Sequence, residues 1–286
     1  MKVSVAMAVY NGEKYVRDQI VSILSQLRKD DELIISYDES SDNSLSILTE
    51  FAQSDKRVKI YDNPYKPGVV KNFQNAVEHC LGDIIFLSDQ DDVWLPNKVD
   101  KVLREFENPH VAVVIHDSKL TDSDLNVRFK STFKLRGGVR TSFLGNIYRL
   151  SYIGCCMAFR SFYKELVVPF PTIYRSHDWW IGSMLSCGKT KIKAIDEALI
   201  LHREHANNAT PKSRPPLNYQ LQVRWIIIKN VIARYLYKIR IDKSHNLCCI
   251  LTNFSKVDVY PLKSAGHWAI ISLNILSSFF IKSSSR

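Results

Sequence analysis

The chain has 286 residues, of which 45% are hydrophobic and 24% are charged, and these values are typical of a globular protein that buries a substantial core. Its length fits one large domain, or one domain with a sizeable appendage. The six cysteines form no C-x-x-C pair and no zinc-ligand spacing, which argues against a disulfide framework or a structural zinc site. We therefore expect reduced thiols in a cytoplasmic compartment.

The formal net charge of +10 is concentrated at one end of the chain. Residues 203–286 contain 13 basic and 3 acidic side chains, whereas residues 1–202 are balanced. This excess predicts an anionic partner for the C-terminal third, which leaves phospholipid, a diphosphate and nucleic acid open. No signal peptide is expected, because Met1-Lys2 leads directly into a strand-like run that no small-residue cleavage site follows.

Four short apolar runs in the first 90 residues alternate with segments of helical periodicity. Asn11 follows the first run and is expected to cap the first helix. Continuous apolar strands between helices predict a parallel sheet covered on both faces. The predicted strands are Val3–Val9, Glu32–Ser36, Val58–Tyr61 and Ile84–Leu87. Three helices are predicted between them: Lys14–Gln26, a second with Leu45, Leu48 and Phe51 on its apolar face, and Val69–Cys80.

The fourth strand ends in a cluster of three carboxylates, Asp89, Asp91 and Asp92. Such acids repel one another unless they are solvated or bound to a cation, so the alternatives are an acidic turn or a Mg²⁺ or Mn²⁺ site for a phosphate-bearing substrate. The carboxyl end of a buried strand is also where open α/β sheets place their ligand sites. Pro96 is expected to open the helix that follows, Pro96–Phe106.

The second half of the chain is predicted to continue the pattern less regularly. Residues 117–150 are polar and are expected to form loops with a short helix near Ser142–Tyr148. Further strands are expected at Val111–Ile115, Tyr152–Phe159, Lys191–Ile195 and Ala198–His202, and helices at Phe162–Val168 and Ser176–Cys187.

Arg214-Pro215-Pro216 marks a predicted boundary before a basic helical extension. Helices are expected at Leu217–Arg240, about Ser244–Phe254 and about Ser264–Ile281. The apolar part of the last helix, Ala265–Ile281, is shorter than the about 20 residues that a spanning helix needs and contains polar residues. We expect an amphipathic helix there, which either packs on the globular domain or lies on a membrane surface.

Three motifs in order, VSVAMAVYNGEKYV at residues 3–16, DESSDNS at 38–44 and DIIFLSDQDDVW at 83–94, resemble the family 2 inverting glycosyltransferases of the GT-A fold. HDWW at 177–180 and HREHANN at 202–208 resemble its bacterial polysaccharide branch, which includes rhamnosyltransferases. Neither G-x-G-x-x-G after the first strand nor a P-loop is present, so a dinucleotide fold and a P-loop fold are not supported.

The resemblance implies an α/β fold, with a doubly wound, mostly parallel sheet of GT-A type that has helices on both faces. The glycosyltransferase domain would span residues 1–210, with a nucleotide-binding part of about 1–115 and an acceptor part of about 116–210. The resemblance does not extend to residues 211–286, where composition and periodicity predict a basic helical extension that either associates with membrane or packs on the domain.

The resemblance also assigns roles at the nucleotide-binding end. Val9, Tyr10 and Asn11 would contact the base, and Asp38 would lie near the base and ribose, although an acid there also suits a helix cap. Tyr37 and Glu39 depart from the family pattern of two acids and a glycine. Lys71 would reach a donor phosphate, with an exposed helical lysine as the simpler alternative.

The acids of the fourth strand match the family's D-x-D element. Asp91 would bind a Mn²⁺ or Mg²⁺ ion, and Asp89 would contact the ribose, the ion or a water bound to it. Asp92 would serve the donor sugar or remain solvated. Arg203 would pair with the diphosphate, and His205 would be a third metal ligand; the alternative is a solvated basic loop.

Asp178 matches the family's catalytic base, which takes a proton from the acceptor hydroxyl as that hydroxyl attacks the anomeric carbon. A first-turn capping residue is the alternative for this acid. His177 precedes it where the family often has Glu. Trp179 and Trp180 are expected to form a sugar-stacking platform or to lie in the core, and core is the expectation for at least one of them.

The sequence therefore predicts a metal-dependent inverting glycosyltransferase that uses a UDP- or dTDP-linked sugar. The expected acceptor is a glycan on a polyprenyl diphosphate lipid, at the inner face of the cell membrane. One rival, an enzyme that makes the activated donor, lacks its glycine-rich phosphate loop. A second rival is a catalytically silent protein that binds anionic glycan or membrane on the same scaffold. Nucleic acid is not expected as a partner, because the basic residues lie on apolar helices.

Overall fold

The computed structural model describes residues 1–171, 176–187, 190–205 and 216–243, with side chains as far as Leu236 in the last range. One compact unit spans Met1–Leu236. A second spans Tyr237–Arg286, and only the end of a helix is described there.

The described elements alternate between strand and helix through the first 120 residues and become less regular afterwards. The strands are β1 (Val3–Val9), β2 (Glu32–Tyr37), β3 (Val58–Asp62), β4 (Ile84–Ser88), β5 (Val93–Trp94), β6 (Val111–Thr121), β7 (Val127–Phe129), β8 (Met157–Arg160) and β9 (Lys191–Arg203). The helices are α1 (Val16–Leu24), α2 (Ser44–Ser54), α3 (Val69–His79), α4 (Lys98–Glu105), α5 (Thr132–Leu135), α6 (Phe143–Tyr148), α7 (Lys164–Val167), α8 (His177–Ser186) and α9 (Leu217–Lys243).

All nine strands belong to one sheet, in the order β3-β2-β1-β4-β8-β6-β9-β5, with β7 paired to β6. The half made of β1 to β4 is entirely parallel. Beyond it the sheet is mixed: β8 runs antiparallel to both β4 and β6, β9 is parallel to β6, and β5 is antiparallel to β9. The predicted α/β class is confirmed, and the parallel pairing is strongest in the half with the clearest strand–helix alternation.

Alternate side chains of the strands supply two separate cores, one on each face of the sheet. Val5 and Met7 of β1 lie in the first core with α1, α2 and α4. Ala6 and Ala8 lie in the second, with α3, α6, α7, α8 and α9. Because both faces are covered, the central strands β1, β2 and β4 are buried along their whole length and are apolar at most positions, which is the pattern that the sequence shows.

The parallel registers bring the carboxyl ends of β1, β2 and β4 to one edge. Val9 of β1 is paired with Tyr37, and Met7 is paired with Ser88. The loops that follow these strands begin at Tyr10, Asp38 and Asp89, and they therefore lie side by side.

Two predicted helix starts are wrong. Asn11 does not cap α1, because it has a φ of +47° and its side-chain oxygen accepts a hydrogen bond from Ser41 N. Asparagine tolerates this left-handed conformation better than most residues. Pro96 does not open α4 either: Asn97 has a φ of +64°, and the helix begins after it at Lys98.

Three differences in the second half concern strands. Within the predicted strand Tyr152–Phe159, residues Gly154–Cys156 form a short 3₁₀ turn, and β8 begins only at Met157. The two strands predicted between Lys191 and His202 are one strand, β9, whose register against β6 shifts. Strand β6 continues to Thr121, and β7 and α5 lie where loops were predicted; helix α6 is confirmed.

The first predicted C-terminal helix is confirmed as α9, and its buried side chains Val223, Ile227 and Val231 belong to the second core. The predicted helices at about Ser244–Phe254 and Ser264–Ile281 lie outside the described residues. Within the described ranges, no helix combines the length and hydropathy needed to cross a membrane. Cys80, Cys155, Cys156 and Cys187 are free thiols.

Glu32, at the start of β2, connects β1, β3 and the segment before β4 at the end of the sheet opposite the acidic cluster. Its carboxylate is buried and accepts hydrogen bonds from Ser4 Oγ at 2.6 Å, Leu81 N at 2.7 Å and Lys59 Nζ at 2.9 Å. Burial alone would raise the pKa of Glu32, but these hydrogen bonds and the lysine charge outweigh burial and lower it.

We predict that Glu32→Gln lowers the free energy of unfolding at pH 7 by about 1–3 kcal/mol, because Lys59 and two buried donors lose their charged acceptor. The carboxylate stabilises the fold above the unfolded pKa of about 4.3, and this contribution disappears as pH falls through the lower folded pKa. Urea unfolding of both proteins between pH 7 and pH 3 measures the difference.

The matched control is Glu50→Gln, which removes an exposed carboxylate paired with Arg17 at 2.6 Å. No measurable change in stability is expected there, because water screens exposed pairs. A stability difference between wild type and Glu32→Gln that is equally large at pH 7 and pH 3 would contradict the assigned role.

Candidate active site

Gln90, the residue between two of the acids, joins the loop after β4 to the loop after β1. Its side chain accepts a hydrogen bond from Tyr10 N at 2.9 Å and donates one to Tyr10 O at 2.8 Å. Gly12 permits this approach, since a Cβ there would lie 2.5 Å from Gln90 Oε1. The loop after β2 is held as well, because Ser44 Oγ accepts a hydrogen bond from Gly12 N at 2.7 Å.

The residues predicted to bind the base are placed together by these loops. Val9 is buried at the end of β1, whereas Tyr10 is 56% exposed beside it. Asp38 is buried and accepts hydrogen bonds from Asn63 Nδ2 at 2.6 Å and Gly68 N at 3.0 Å. Its carboxylate therefore connects the end of β2 to the turn before α3 rather than capping α2, which begins after Asn43.

Lys71 is not a freely exposed lysine. Its Nζ donates hydrogen bonds to Gln74 Oε1 at 2.8 Å and Phe170 O at 3.0 Å, and it lies 5.4 Å from the ring centroid of Tyr65. These contacts join the start of α3 to the segment after α7. The predicted contact of Lys71 with a donor phosphate remains a prediction.

Asp91, which is predicted to bind the metal ion, contacts His205, which is predicted to be another ligand of the same ion. Nε2 of His205 lies 2.8 Å from Oδ2 of Asp91, and both side chains are 14% exposed. The ring of Tyr15 lies 5.0 Å from that of His205, centroid to centroid, on the other side. The sequence separates Asp91 and His205 by 114 residues, and the fold brings them into contact.

The electrostatics of Asp89 and Asp91 show that these carboxylates are crowded. Burial raises the pKa of Asp89 well above its usual range, and the charges of Asp91, Asp92 and Asp178 raise it further. Burial and the charge of Asp92 also raise the pKa of Asp91, although His205 opposes them. A cation between these groups would relieve the repulsion.

Asp92 has a different environment, and the alternative that it is solvated is wrong. Its side chain is fully buried, and Oδ1 lies 3.0 Å from His202 Nδ1 and accepts a hydrogen bond from Arg203 N at 3.0 Å. Burial opposes ionisation, yet the charge and hydrogen bond of His202 lower the pKa of Asp92. Asp92 in turn raises the pKa of His202 to about 10, against the effect of burial.

Arg203 is buried, and its guanidinium connects three segments around the candidate site. Its guanidinium donates to Asp91 O at 2.8 Å and Ser123 O at 2.6 Å, and it approaches Asp18 Oδ2 at 3.4 Å. It also lies 4.3 Å from the ring centroid of Tyr15. The predicted pairing of Arg203 with a diphosphate remains a prediction; in the structure this side chain supports the loop that carries Asp91.

Asp178 lies in the first turn of α8, close enough to Asp89 for its charge to raise the pKa of that acid. Its Oδ1 accepts hydrogen bonds from Ser176 Oγ and from Trp179 N, the latter at 2.7 Å. Oδ2 accepts none from the described residues. One carboxylate oxygen therefore orients the group, and the other is left for a ligand.

His177 and the two tryptophans surround this acid. The ring of His177 is buried and stacks on Phe73 with centroids 3.8 Å apart, and Gly154 lies against its other side. Burial lowers the pKa of His177, although Asp178 opposes the shift, so the ring is neutral. Trp180 is buried in the second core, as expected for at least one tryptophan, and Trp179 is half-buried and donates to Asn146 O at 3.2 Å.

Asp91 and His205 are in contact, and Asp89 is close enough for the charge of Asp91 to raise its pKa, so a hard divalent ion bound by these three residues remains a prediction. Carboxylate oxygens are the ligands that Mg²⁺ and Mn²⁺ prefer, and the crowded acids gain from a nearby positive charge. Asp92 is not assigned to this set, because its Oδ1 contacts His202 and accepts a hydrogen bond from Arg203 N, on the side of β9.

Sequence reasoning missed Gln90 and the buried role of Asp92. Nothing in the sequence distinguishes an amide that bonds another loop from a solvent-exposed one. One indirect signal pointed to Asp92. The chain has His202 where the family pattern has another aromatic residue, and the charge and hydrogen bond of His202 lower the pKa of the buried Asp92.

Comparison with known proteins gives the same family by an independent route. The family model for glycosyl transferase family 2 matches residues 4–167. An uncharacterized glycosyltransferase of Nostoc sp. is 27% identical over 291 residues, which cover 96% of this chain and 88% of that protein.

Two relatives carry specific names. The dTDP-rhamnosyl transferase RfbG of Shigella flexneri is 26% identical over 220 residues, covering 71% of this chain and 72% of its own. The UDP-Glc:alpha-D-GlcNAc-diphosphoundecaprenol beta-1,3-glucosyltransferase WfgD of Escherichia coli is 36% identical over 98 residues, covering 34% of this chain and 38% of its own.

Solved structures share the fold. The TarS fragment of S. aureus in complex with UDP-GlcNAc superposes with a TM-score of 0.63 at 19% identity, covering 80% of this chain and 66% of that one. The mannosyltransferase PcManGT of Pyrobaculum calidifontis, in complex with GDP-Man and Mn²⁺, gives a TM-score of 0.54 at 17% identity, covering 84% and 64%. The predicted GT-A type of fold is confirmed.

Proposed function

Because the chain belongs to glycosyl transferase family 2 and is a glycosyltransferase, we propose that it transfers a sugar, with inversion, from a nucleoside diphosphate to a lipid-linked glycan. The observation that carries the proposal is the contact between Asp91 and His205 beside Asp89, with Asp178 close by. These groups would supply a cation site and a separate carboxylate, which are the two requirements of a displacement at an anomeric carbon.

The donor would lie along the carboxyl edge of β1, β2 and β4. The exposed ring of Tyr10 and the Asp38 loop would receive the nucleotide, and Gln90 holds the first of these loops in place. A divalent ion, Mn²⁺ or Mg²⁺, held by Asp91, Asp89 and His205 would neutralise charge on the departing diphosphate. Relatives and fold neighbours use dTDP-rhamnose, UDP-GlcNAc and GDP-Man with Mn²⁺, which supports this donor class.

Asp178 is proposed as the general base. Its Oδ1 is fixed by Ser176 and Trp179, and Oδ2 is left to accept the proton of the acceptor hydroxyl. The hydroxyl oxygen then forms the new bond to the anomeric carbon while the bond to the diphosphate oxygen breaks.

The proposed acceptor is a glycan on a polyprenyl diphosphate, as in the synthesis of cell-surface polysaccharide. WfgD acts on a diphosphoundecaprenol-linked sugar, which supports a lipid-linked acceptor of the same class. The outward face of α9 adds physical support. Leu217, Leu221, Trp225 and Leu236 are 43–67% exposed on it, while the opposite face is buried in the second core.

We propose that this outward face of α9 lies on an anionic membrane surface at the inner side of the cell membrane. The exposed Lys229 follows Trp225 by one helical turn, and the entire excess charge of +10 lies in residues 203–286. Basic residues near an anionic lipid surface contribute about 1 kcal/mol each, and interfacial tryptophan adds apolar contact.

For the general base, we predict that Asp178→Asn lowers kcat by about 10²–10⁴-fold, because the amide cannot accept the hydroxyl proton. Binding of UDP or dTDP should be unchanged, since Asp178 does not contact the nucleotide in this proposal. Product formation and calorimetric nucleotide binding measure the two effects. Asp100→Asn, an exposed acid on α4, is the matched control and should keep full activity. Normal turnover by Asp178→Asn would refute the assignment.

For the metal site, we predict that EDTA abolishes transfer and that Mn²⁺ or Mg²⁺ restores it. Asp91→Asn should weaken Mn²⁺ binding by more than about tenfold, since it removes one carboxylate ligand of a hard ion. Water-proton relaxation measures bound Mn²⁺ without requiring turnover. Activity that survives EDTA dialysis, or wild-type Mn²⁺ affinity in Asp91→Asn, would contradict the proposed ion site.

For the membrane surface, we predict that the full chain binds vesicles containing anionic lipid and that added salt weakens the binding. Leu221→Ser/Trp225→Ser should lose at least about tenfold in vesicle affinity, because two exposed apolar side chains no longer enter the interface. Cosedimentation measures the bound fraction. Leu81→Ser is the matched control, since Leu81 is 70% exposed elsewhere. Equal binding by the double variant would exclude this face.

A further inference from the structure

Behind the acids of the candidate active site, Asp92, Cys155 and His202 bring three different kinds of metal ligand together. One oxygen, one sulfur and one imidazole nitrogen lie within 4.8 Å of one another. Asp92 and Cys155 are fully buried, and the side chain of His202 is 19% exposed. The three residues come from the loop after β4, the 3₁₀ turn before β8, and the end of β9.

We propose that Asp92, Cys155 and His202 form a second metal site, selective for a thiophilic divalent ion such as Zn²⁺. Zn²⁺ takes thiolate, imidazole and carboxylate ligands, whereas a sulfur ligand disfavours Mg²⁺ and Mn²⁺. The proposed hard-ion site contains oxygen and imidazole ligands only. The two sites would therefore select different ions, although Asp91 and Asp92 are neighbours in the sequence.

The distances support an ion of this size. His202 Nδ1 lies 3.0 Å from Asp92 Oδ1 and 3.7 Å from Cys155 Sγ. A tetrahedral Zn²⁺ with ordinary bond lengths has edges between its ligands of roughly 3.3–3.6 Å. The two edges that involve His202 therefore differ from these values by a few tenths of an ångström, and the edge between Asp92 and Cys155 is within 4.8 Å. The fourth position would take a water on the side of His202, the partly exposed member of the three.

An orphaned oxygen is an independent indication of a ligand. Asp92 Oδ2 is buried and accepts no hydrogen bond from the described residues. A buried carboxylate oxygen without a partner is costly, and an ion beside it would satisfy it. The thiol of Cys155 is not a reactive alternative: its hydrogen bond with Cys156 and its burial raise its pKa.

Occupancy would have a consequence for the active site, and this step rests on the proposed function. Asp92 Oδ1 accepts a hydrogen bond from Arg203 N, and the guanidinium of Arg203 donates one to Asp91 O. An ion on the orphaned Oδ2 would pull the carboxylate toward itself, and this movement would compete with the hydrogen bond from Arg203 N to Oδ1. Zn²⁺ is therefore expected to reduce transfer that depends on Mn²⁺ or Mg²⁺, even when the hard-ion site is saturated.

Co²⁺ tests the site by spectroscopy, because a thiolate ligand gives a charge-transfer band that oxygen and nitrogen ligands do not. The full chain carrying Cys187→Ser, Cys248→Ser and Cys249→Ser would be stripped of metal, kept reduced and saturated with Mg²⁺ before titration. We expect one equivalent of Co²⁺ to produce the band, and Zn²⁺ to remove it. Cys155→Ser should abolish the band, and His202→Phe should weaken Co²⁺ binding by more than about tenfold.

Cys156→Ser is the matched control, since it removes the adjacent buried thiol and should leave the band intact. Circular dichroism checks that each variant folds; if Cys155→Ser does not fold, the affinity of His202→Phe decides. No thiolate band in the parent protein, a band that persists without Cys155, or unchanged affinity in His202→Phe would overturn the proposal. Because absorption needs no turnover, failure of the proposed transferase activity would leave this result interpretable.

Discussion

Three carboxylates at the end of one buried strand impose the constraint on which the rest of the site depends. Asp89, Asp91 and Asp92 cannot all be ionised in a buried position without compensating positive charge or hydrogen bonds. The chain compensates them differently: Asp92 with His202 and a backbone N–H, and Asp91 with His205. All of these partners come from the end of β9 and the two residues after it, 110 to 114 residues later in the sequence. The compensation of Asp91 and Asp92 therefore depends on the long strand β9.

The sequence predicted the first half of the fold well because its strands are buried on both faces. A continuous apolar run such as Ile84–Leu87 has only a few ways to be buried, and alternation with helices selects the parallel sheet. Prediction failed where local pattern and tertiary contact disagree. Gly154–Cys156 is apolar enough for a strand, but it forms a 3₁₀ turn against His177. The break predicted within Lys191–His202 is only a shift of register, because β6 continues beside it.

The candidate site shows the same division. Asp91, His205 and Asp178 were found because the resemblance assigns chemistry to motifs, and the structure places Asp91 against His205. Gln90 and the burial of Asp92 were not found, because both depend on which loops meet at the edge. A residue's type limits the hydrogen bonds that it can make, but only the fold determines the partner. The contacts of Asp38 and Lys71 with Gly68 and Phe170 are of this kind.

The compensation of Asp92 also fixes how much charge remains for a ligand. Once Asp92 is paired with His202, the edge retains Asp89 and Asp91, and the charge of Asp91 raises the pKa of Asp89. The guanidinium of Arg203 donates hydrogen bonds to Asp91 O and Ser123 O, so its positive charge lies close to the loop that carries these acids. The edge would thus have little net charge when an ion is bound, and an anionic diphosphate would meet no excess of carboxylates. Removing the Asp92–His202 pair would disturb this arrangement without removing a ligand of the proposed hard-ion site, because Asp92 also accepts the hydrogen bond of Arg203 N.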